Sequence, residues 1–315
     1  MHSLEISILK TVSYFDIFSY PLTFDEIIFF LDQPAEEQDI NSALEYLVEM
    51  EHLFQLDNFY SIRNERNLAK RRRHGNRLAA KHIKRAKFIA KFLSWFPYIR
   101  GIAISGSLSK NFADENSDLD FFIITAANRL WIVRLLHSVV FKMATAVRLT
   151  DWFCLNYFVD EAKLEVPEQN IFTAVEVATL VPVKGGSVFE NFFQANNWVY
   201  QYLPNYNPNY TCLRDAPPIL LKRVAEWIMN AETVDKLNDK LHLFFKRRFK
   251  KILSENRISK TGFTIGSFQA DKHACKPLPQ YFQPVILEKF HERFKKTKEK
   301  YNSQLIKEKR VHREN

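Results

Sequence analysis

The sequence predicts an α+β protein: a small mixed-sheet core, preceded by a separate helical module and followed by a helical region. Three observations lead there. Between residues 100 and 159, short apolar runs alternate with helical patterns in the order strand, helical turn, strand, long helix, strand. The first 62 residues read as three helices and a hairpin. Charge, finally, is sorted by segment. The 315-residue chain carries +9 overall, but residues 1–62 hold one Lys against twelve acids, net −11. Residues 63–100 are net +12, residues 101–238 net −4 and residues 239–315 net +12. Such sorting implies either a polyanionic partner or docking of acidic onto basic segments of the same chain.

Along residues 4–18, apolar side chains recur at Leu4, Ile8, Val12 and Phe15, a helical period. Tyr20-Pro21 breaks it. Thr23, with Glu26 three residues on, forms a capping box for a helix over about 24–32. Asp39 or Asn41 caps a third helix, which places Ile40, Leu44, Leu47 and Val48 on one face. Residues 52–62 then read as two short strands about an Asp57-Asn58 turn. Three helices and a small hairpin resemble a winged helix-turn-helix, assigned to 1–62. That resemblance implies duplex binding, but the charges oppose it, because a duplex binder neutralises phosphates with Lys and Arg. The helix that would read bases, about 41–51, carries Glu45, Glu49 and Glu51 and no cation. Packing against the basic helix that follows, or against a partner, fits better.

A long basic helix covers 63–96, with Lys70-Arg71-Arg72-Arg73 near its start and Pro97 at its end. It links the first module to a core at 98–185. There, residues 100–105 form a buried strand, Gly106-Ser107 follows, and 108–113 is a helical turn. The polar turn 114–117 leads into a second strand over 118–125. An amphipathic helix over 130–147 precedes a third strand over 152–159, rich in aromatic and β-branched residues. From 172 onward helical patterns dominate, so 186–315 is read as a helical C-terminal domain, with basic helices over 219–256 and 283–311. Lys184-Gly185-Gly186 reads as a turn.

Several classes of function are excluded early. Three widely spaced cysteines (Cys154, Cys212, Cys275) form neither a disulfide framework nor a CxxC site, and the histidines show no zinc-ligand spacing. The longest apolar stretch, 130–147, is broken by Arg134, His137 and Lys142, so no membrane partner is expected. No basic-then-apolar leader opens the sequence, and a cytoplasmic location is expected.

The chemistry-bearing feature is GSLSKNFADENSDLDFFIIT, residues 106–125. Asp118 and Asp120, two apart on a strand, share a face. Like charges held together call for a cation between them, and Mg²⁺ takes one or two carboxylates plus substrate phosphates. Gly106 lets backbone approach a phosphate, and Ser107 offers its hydroxyl and N–H. Lys110 reaches the same phosphates, and Ser117 closes the turn beside them.

This segment resembles the nucleotidyltransferase superfamily with the DNA polymerase beta-like fold, whose signature is hG[GS], about a dozen residues, then D-h-[DE]-h. Gly106-Ser107 and Asp118-Leu119-Asp120-Phe121 match it, and the resemblance spans about 98–160. It implies that Asp118 and Asp120 bind Mg²⁺ and act catalytically. It implies that Gly106, Ser107, Lys110 and Ser117 contact a nucleoside triphosphate, most readily ATP, and that a nucleoside monophosphate passes to an acceptor hydroxyl. Family members usually place a third carboxylate on the next strand. Here that strand, TDWFCLNYFVDE, offers Asp151 at its start, Asn156 at its centre and Asp160 at its end. Asp151, which precedes the apolar alternation, is the leading candidate for the third catalytic acid. Two other readings remain: a catalytically weak nucleotide-binding regulator on the same fold, and a nucleic-acid binder using the basic helices.

Overall fold

The computed structural model describes residues 2–115, 117–146, 154–208, 219–228, 232–254, 265–280 and 282–314. The N-terminal segment forms α1 (His2–Asp16), α2 (Phe24–Phe30), α3 (Glu37–Glu49) and an antiparallel hairpin of β1 (Phe54–Leu56) and β2 (Phe59–Ser61). The Thr23/Glu26 capping box is present in both directions. The third helix starts earlier than expected, with Glu36 in the N-cap position and no side-chain cap, so neither Asp39 nor Asn41 begins it. Asp57, at positive φ, turns the hairpin.

α4 (Arg66–Leu93) is the long basic helix. It is no inert spacer. Arg72, 2% exposed, is held by Glu26 through two hydrogen bonds of 2.7 and 3.0 Å. Arg73 pairs with Asp57 and Arg63 pairs with Asp16 at 2.6 Å. The acidic module therefore docks on the basic helix of its own chain, the second of the two meanings that charge sorting allows.

Among the described residues, six strands form one mixed sheet. They are β3 (Ile99–Ile104), β4 (Asp120–Thr125), β5 (Cys154–Asp160), β6 (Val181–Lys184), β7 (Ile265–Ala270) and β8 (Ala274–Gln280), in the spatial order β6-β3-β4-β5-β8-β7. β4 and β5 are parallel, joined by α6 (Leu130–Ala146), and the other pairings are antiparallel. The alternation of β3 and β4 sends Ile102, Ile104, Phe121 and Ile123 to one face. There they pack with Ala86, Ile89 and Leu93 of α4, Trp131 of α6, and Phe245 and Phe249 of α10 (Glu232–Ser254). Ala103, Phe122 and Ile124 face the other way, toward α7 (Ile171–Ala178) and α8 (Gly186–Ala195).

The region after 186 departs from the helical domain expected of it. Besides α8, α9 (Leu220–Ile228), α10 and α11 (Phe282–Glu314), it supplies the β7–β8 hairpin, which extends the core sheet beyond β5. The hairpin's pattern is hidden because β8 contains Pro277 and Pro279, residues that argue against a strand. α11 packs against α1, where Arg293 reaches Asp16 at 2.5 Å, so the two ends of the chain meet. α9 is pinned by its polar face: Lys222 donates to the carbonyls of Ser94 and Ile99, and Glu226 holds Arg100. Among the described residues no helix is long and apolar enough to cross a membrane.

Candidate functional site

The two halves of the motif meet at the end of β3. Gly101 and Ala103 face α8, and Ser105 continues on that side. Gly106 then takes φ +67° and turns the chain into the single helical turn α5 (Gly106–Ser109). A Cβ at Gly106 would stand 2.2 Å from Asp120 Oδ2. Both its φ and the space require glycine. Ser105 N donates to the Asp120 carbonyl at 3.0 Å, which fixes the loop to the first residue of β4.

Asp120 is half-buried and faces the α7 side with Phe122. Asp118 lies on the loop before β4 and is exposed, because the strand begins two residues later than expected. Strand alternation therefore does not set its direction. Ser117 is occupied with the turn: its N–H donates to the Asp114 carbonyl at 3.1 Å and its hydroxyl accepts from Asp114 N at 2.7 Å.

The neighbouring strand supplies an amide. The β4–β5 register runs Phe121 opposite Leu155 and then Phe122 opposite Tyr157, so Asn156 is the extra residue of a β-bulge. Its Nδ2 donates to Asp120 Oδ1 at 2.5 Å. The same bulge lays the Tyr157 ring on Phe122, with centroids 5.4 Å apart and planes 9° from parallel. Asp160 is at the opposite end of β5, across from Thr125. Fully buried, it accepts from Asn128 N and Ala162 N and contacts His273 Nδ1 at 3.0 Å, a clamp between loops remote from Asp120. Of the three residues weighed for the third position, Asn156 touches Asp120 and Asp160 does not. Asp151 lies outside the described residues.

Two cavities meet at Gly106 and Glu176. One, of about 320 Å³, lies between the N-terminal module and the Gly106-Ser107 turn, and Arg71, Lys110, Tyr14, Tyr20 and Phe112 line it. Ser107, exposed, is at its edge. Lys110 Nζ donates to Gly106 O at 3.1 Å and to Glu176 Oε1 at 2.8 Å. Arg71 lies over the Phe112 ring and pairs with Asp114 at 2.9 Å. Tyr20 Oη donates to the Lys110 carbonyl at 2.5 Å and contacts Glu26, which ties the first module to this wall. Burial raises the Tyr20 hydroxyl well above the ordinary tyrosine range, so it stays a donor. The other cavity, of about 130 Å³, lies on the Asn156 side, between the sheet and α7.

The structure brings Gly106, Ser107, Lys110 and Asp120 into one place, and Arg71, Tyr20 and Glu176, which the sequence does not single out, reach it from the linking helix, the first module and α7. Only Arg71 left a trace, as one cation in a basic run. Among the described residues no group of three or more His, Cys, Asp or Glu side chains is placed to hold a metal. The Asp120 carboxylate, next to the Gly106 turn, is an oxygen donor of the kind a hard cation takes together with phosphate ligands. No protein-family model matches the sequence, and comparisons with curated proteins and with solved structures found no significant match.

Proposed function

We propose that this protein is a Mg²⁺-dependent nucleotidyltransferase: it moves a nucleoside monophosphate from a nucleoside triphosphate, ATP first among them, to an acceptor hydroxyl. Residues 98–185, with the late β7–β8 hairpin, would be its catalytic core. The observation that carries the reading is the contact between the Gly106 backbone and the Asp120 carboxylate, which joins the two halves of the motif where a phosphate and a cation can sit together.

Asp118 and Asp120 would hold Mg²⁺, which when bound neutralises phosphate charge. The triphosphate would occupy the larger cavity, where Ser107 offers a hydroxyl and a backbone N–H and Lys110 and Arg71 supply positive charge. Its base would stack among Tyr14, Tyr20 and Phe112. Asn156 steadies the Asp120 carboxylate from the next strand. Transfer forms a bond from the acceptor oxygen to the α-phosphorus and breaks the bond to pyrophosphate. Glu176 borders both cavities and holds the Lys110 ammonium in place.

Asn156 also favours a second reading. An amide where relatives of the motif carry an acid leaves one negative charge fewer, which suits nucleotide binding with slow transfer. The test is incubation with labelled nucleoside triphosphates and Mg²⁺, comparing the parent with Asp118→Ala/Asp120→Ala. Pyrophosphate release by the parent alone supports transfer. Tight Mg²⁺-dependent binding without release supports the regulator. Binding to RNA or DNA that weakens steeply with salt would support the third reading, a nucleic-acid protein.

A further inference from the structure

We infer that the 130 Å³ cavity beside Asp120 is the acceptor pocket, and that it takes a single uncharged six-membered ring bearing a hydroxyl, of the phenol class. The inference rests on the nucleotidyl-transfer reading and adds the acceptor to it.

Size comes first. An apolar cavity near 150 Å³ accommodates one benzene ring, so this partly open cavity seats one ring. Wall chemistry comes second. Phe122, Val166, Phe172, Val177 and Leu180 present apolar surface, and the Phe122–Tyr157 stack provides a flat face. The third observation points to a ligand directly. Ser105, 9% exposed, and Tyr157 each bury a hydroxyl that has no hydrogen-bond partner among the described residues, and both line this cavity. Leaving a buried hydroxyl unpaired is destabilising, and the hydroxyl of a bound ring offers a partner. Burial keeps the Tyr157 hydroxyl protonated far above neutral pH, so it remains a donor.

Wall chemistry also separates the two substrates. The Ser107 side carries Arg71 and Lys110, each paired with an acid, Asp114 and Glu176. The Asn156 side is mostly apolar, and its charged residues among those described are Glu168, Lys276 and the Glu176 that Lys110 holds. These walls suit an uncharged ring better than a polyanion. The ring's hydroxyl, directed at the Asp120–Asn156 end, would attack the α-phosphorus and release pyrophosphate, its proton passing to solvent or a carboxylate.

The test uses the full chain and phenol as probe, by ligand-observed NMR in the presence of EDTA, with no nucleotide. Phenol is expected to bind the parent. Tyr157→Phe, which keeps the ring and removes the unpaired hydroxyl, is expected to melt no lower than the parent and to bind phenol roughly three- to tenfold more weakly. Val177→Phe, which fills the cavity, is expected to abolish binding. Absence of phenol binding, unchanged binding in Tyr157→Phe, or displacement of phenol by free cytidine or adenosine would overturn the inference. Adding Mg²⁺ and labelled ATP then separates the two claims. Label on phenol supports both. Pyrophosphate release without label on phenol overturns the acceptor assignment alone. Phenol binding with no pyrophosphate release overturns the transfer reading, and the acceptor role with it.

Discussion

Gly106→Ala isolates the contact on which the site is built. The residue sits at φ +67°, and an added Cβ would lie 2.2 Å from Asp120 Oδ2, where real contacts are never under 3.0 Å. Left-handed backbone costs a non-glycine residue ~1–2 kcal/mol. In a chain of 315 residues that lowers the melting temperature by roughly 1.5–3 °C. The carboxylate has to retreat, and Asn156 Nδ2, bonded to its other oxygen at 2.5 Å, loses its partner geometry. Mg²⁺-dependent ATP affinity is expected to fall roughly tenfold or more, the equivalent of about 1.4 kcal/mol. Gly185→Ala is the control. Gly185 has φ +83°, and its Cβ would meet the Arg100 carbonyl at 2.3 Å, so the backbone strain is similar but the location is on the far side of β3 from Asp120. Thermal melts and calorimetric titration of both variants decide the matter. If Gly106→Ala binds as the parent does, or if Gly185→Ala loses binding equally, the reasoning fails.

Other expectations follow from the same geometry. Asn156→Asp sets a third carboxylate against Asp120: it should melt below the parent in EDTA and recover in millimolar Mg²⁺, and a melt indifferent to Mg²⁺ would contradict the cation site. Glu26→Gln leaves the buried Arg72 charge without its carboxylate, and because Glu26 is partly exposed the expected loss is about 2–3 kcal/mol in denaturant unfolding. Lys222 is held near 8 by burial, against an ordinary 10.5, with Glu226 pulling it up and Arg100 pushing it down. The cost of burying its ammonium is fully present below pH 8 and fades as pH rises toward 10.5. Relative to Lys222→Met, the parent should therefore gain about 1–2 kcal/mol of stability between pH 8 and 10; a flat difference across that range would refute the assignment.

Local chemistry made much of the chain readable. The Thr23/Glu26 box, the Asp57 turn and the Gly106-Ser107 and Asp120 pairing depend on neighbours a few residues apart, and period and spacing expose them. What stayed hidden depends on partners distant in sequence. The bulge at Asn156 is a property of two strands in register, and period-two alternation along one strand does not reveal it. The β7–β8 hairpin, with prolines in β8, has no strand signature of its own and forms because β5 offers an edge to pair with. The acidic first module became interpretable only through its partners, Arg63, Arg72 and Arg73. Asp118 shows the limit of the motif itself, since the spacing is right but the strand starts at Asp120.

The most direct test of the central claim is a titration of ATP into the parent protein and into Asp120→Asn, with and without Mg²⁺, followed by assay of the same samples for pyrophosphate. The account predicts saturable ATP binding that requires Mg²⁺ in the parent and is lost in Asp120→Asn, with pyrophosphate appearing only in the parent once an acceptor is present. ATP binding that is equal in both proteins, or that ignores Mg²⁺, would show that the Gly106–Asp120 junction is not a nucleotide site.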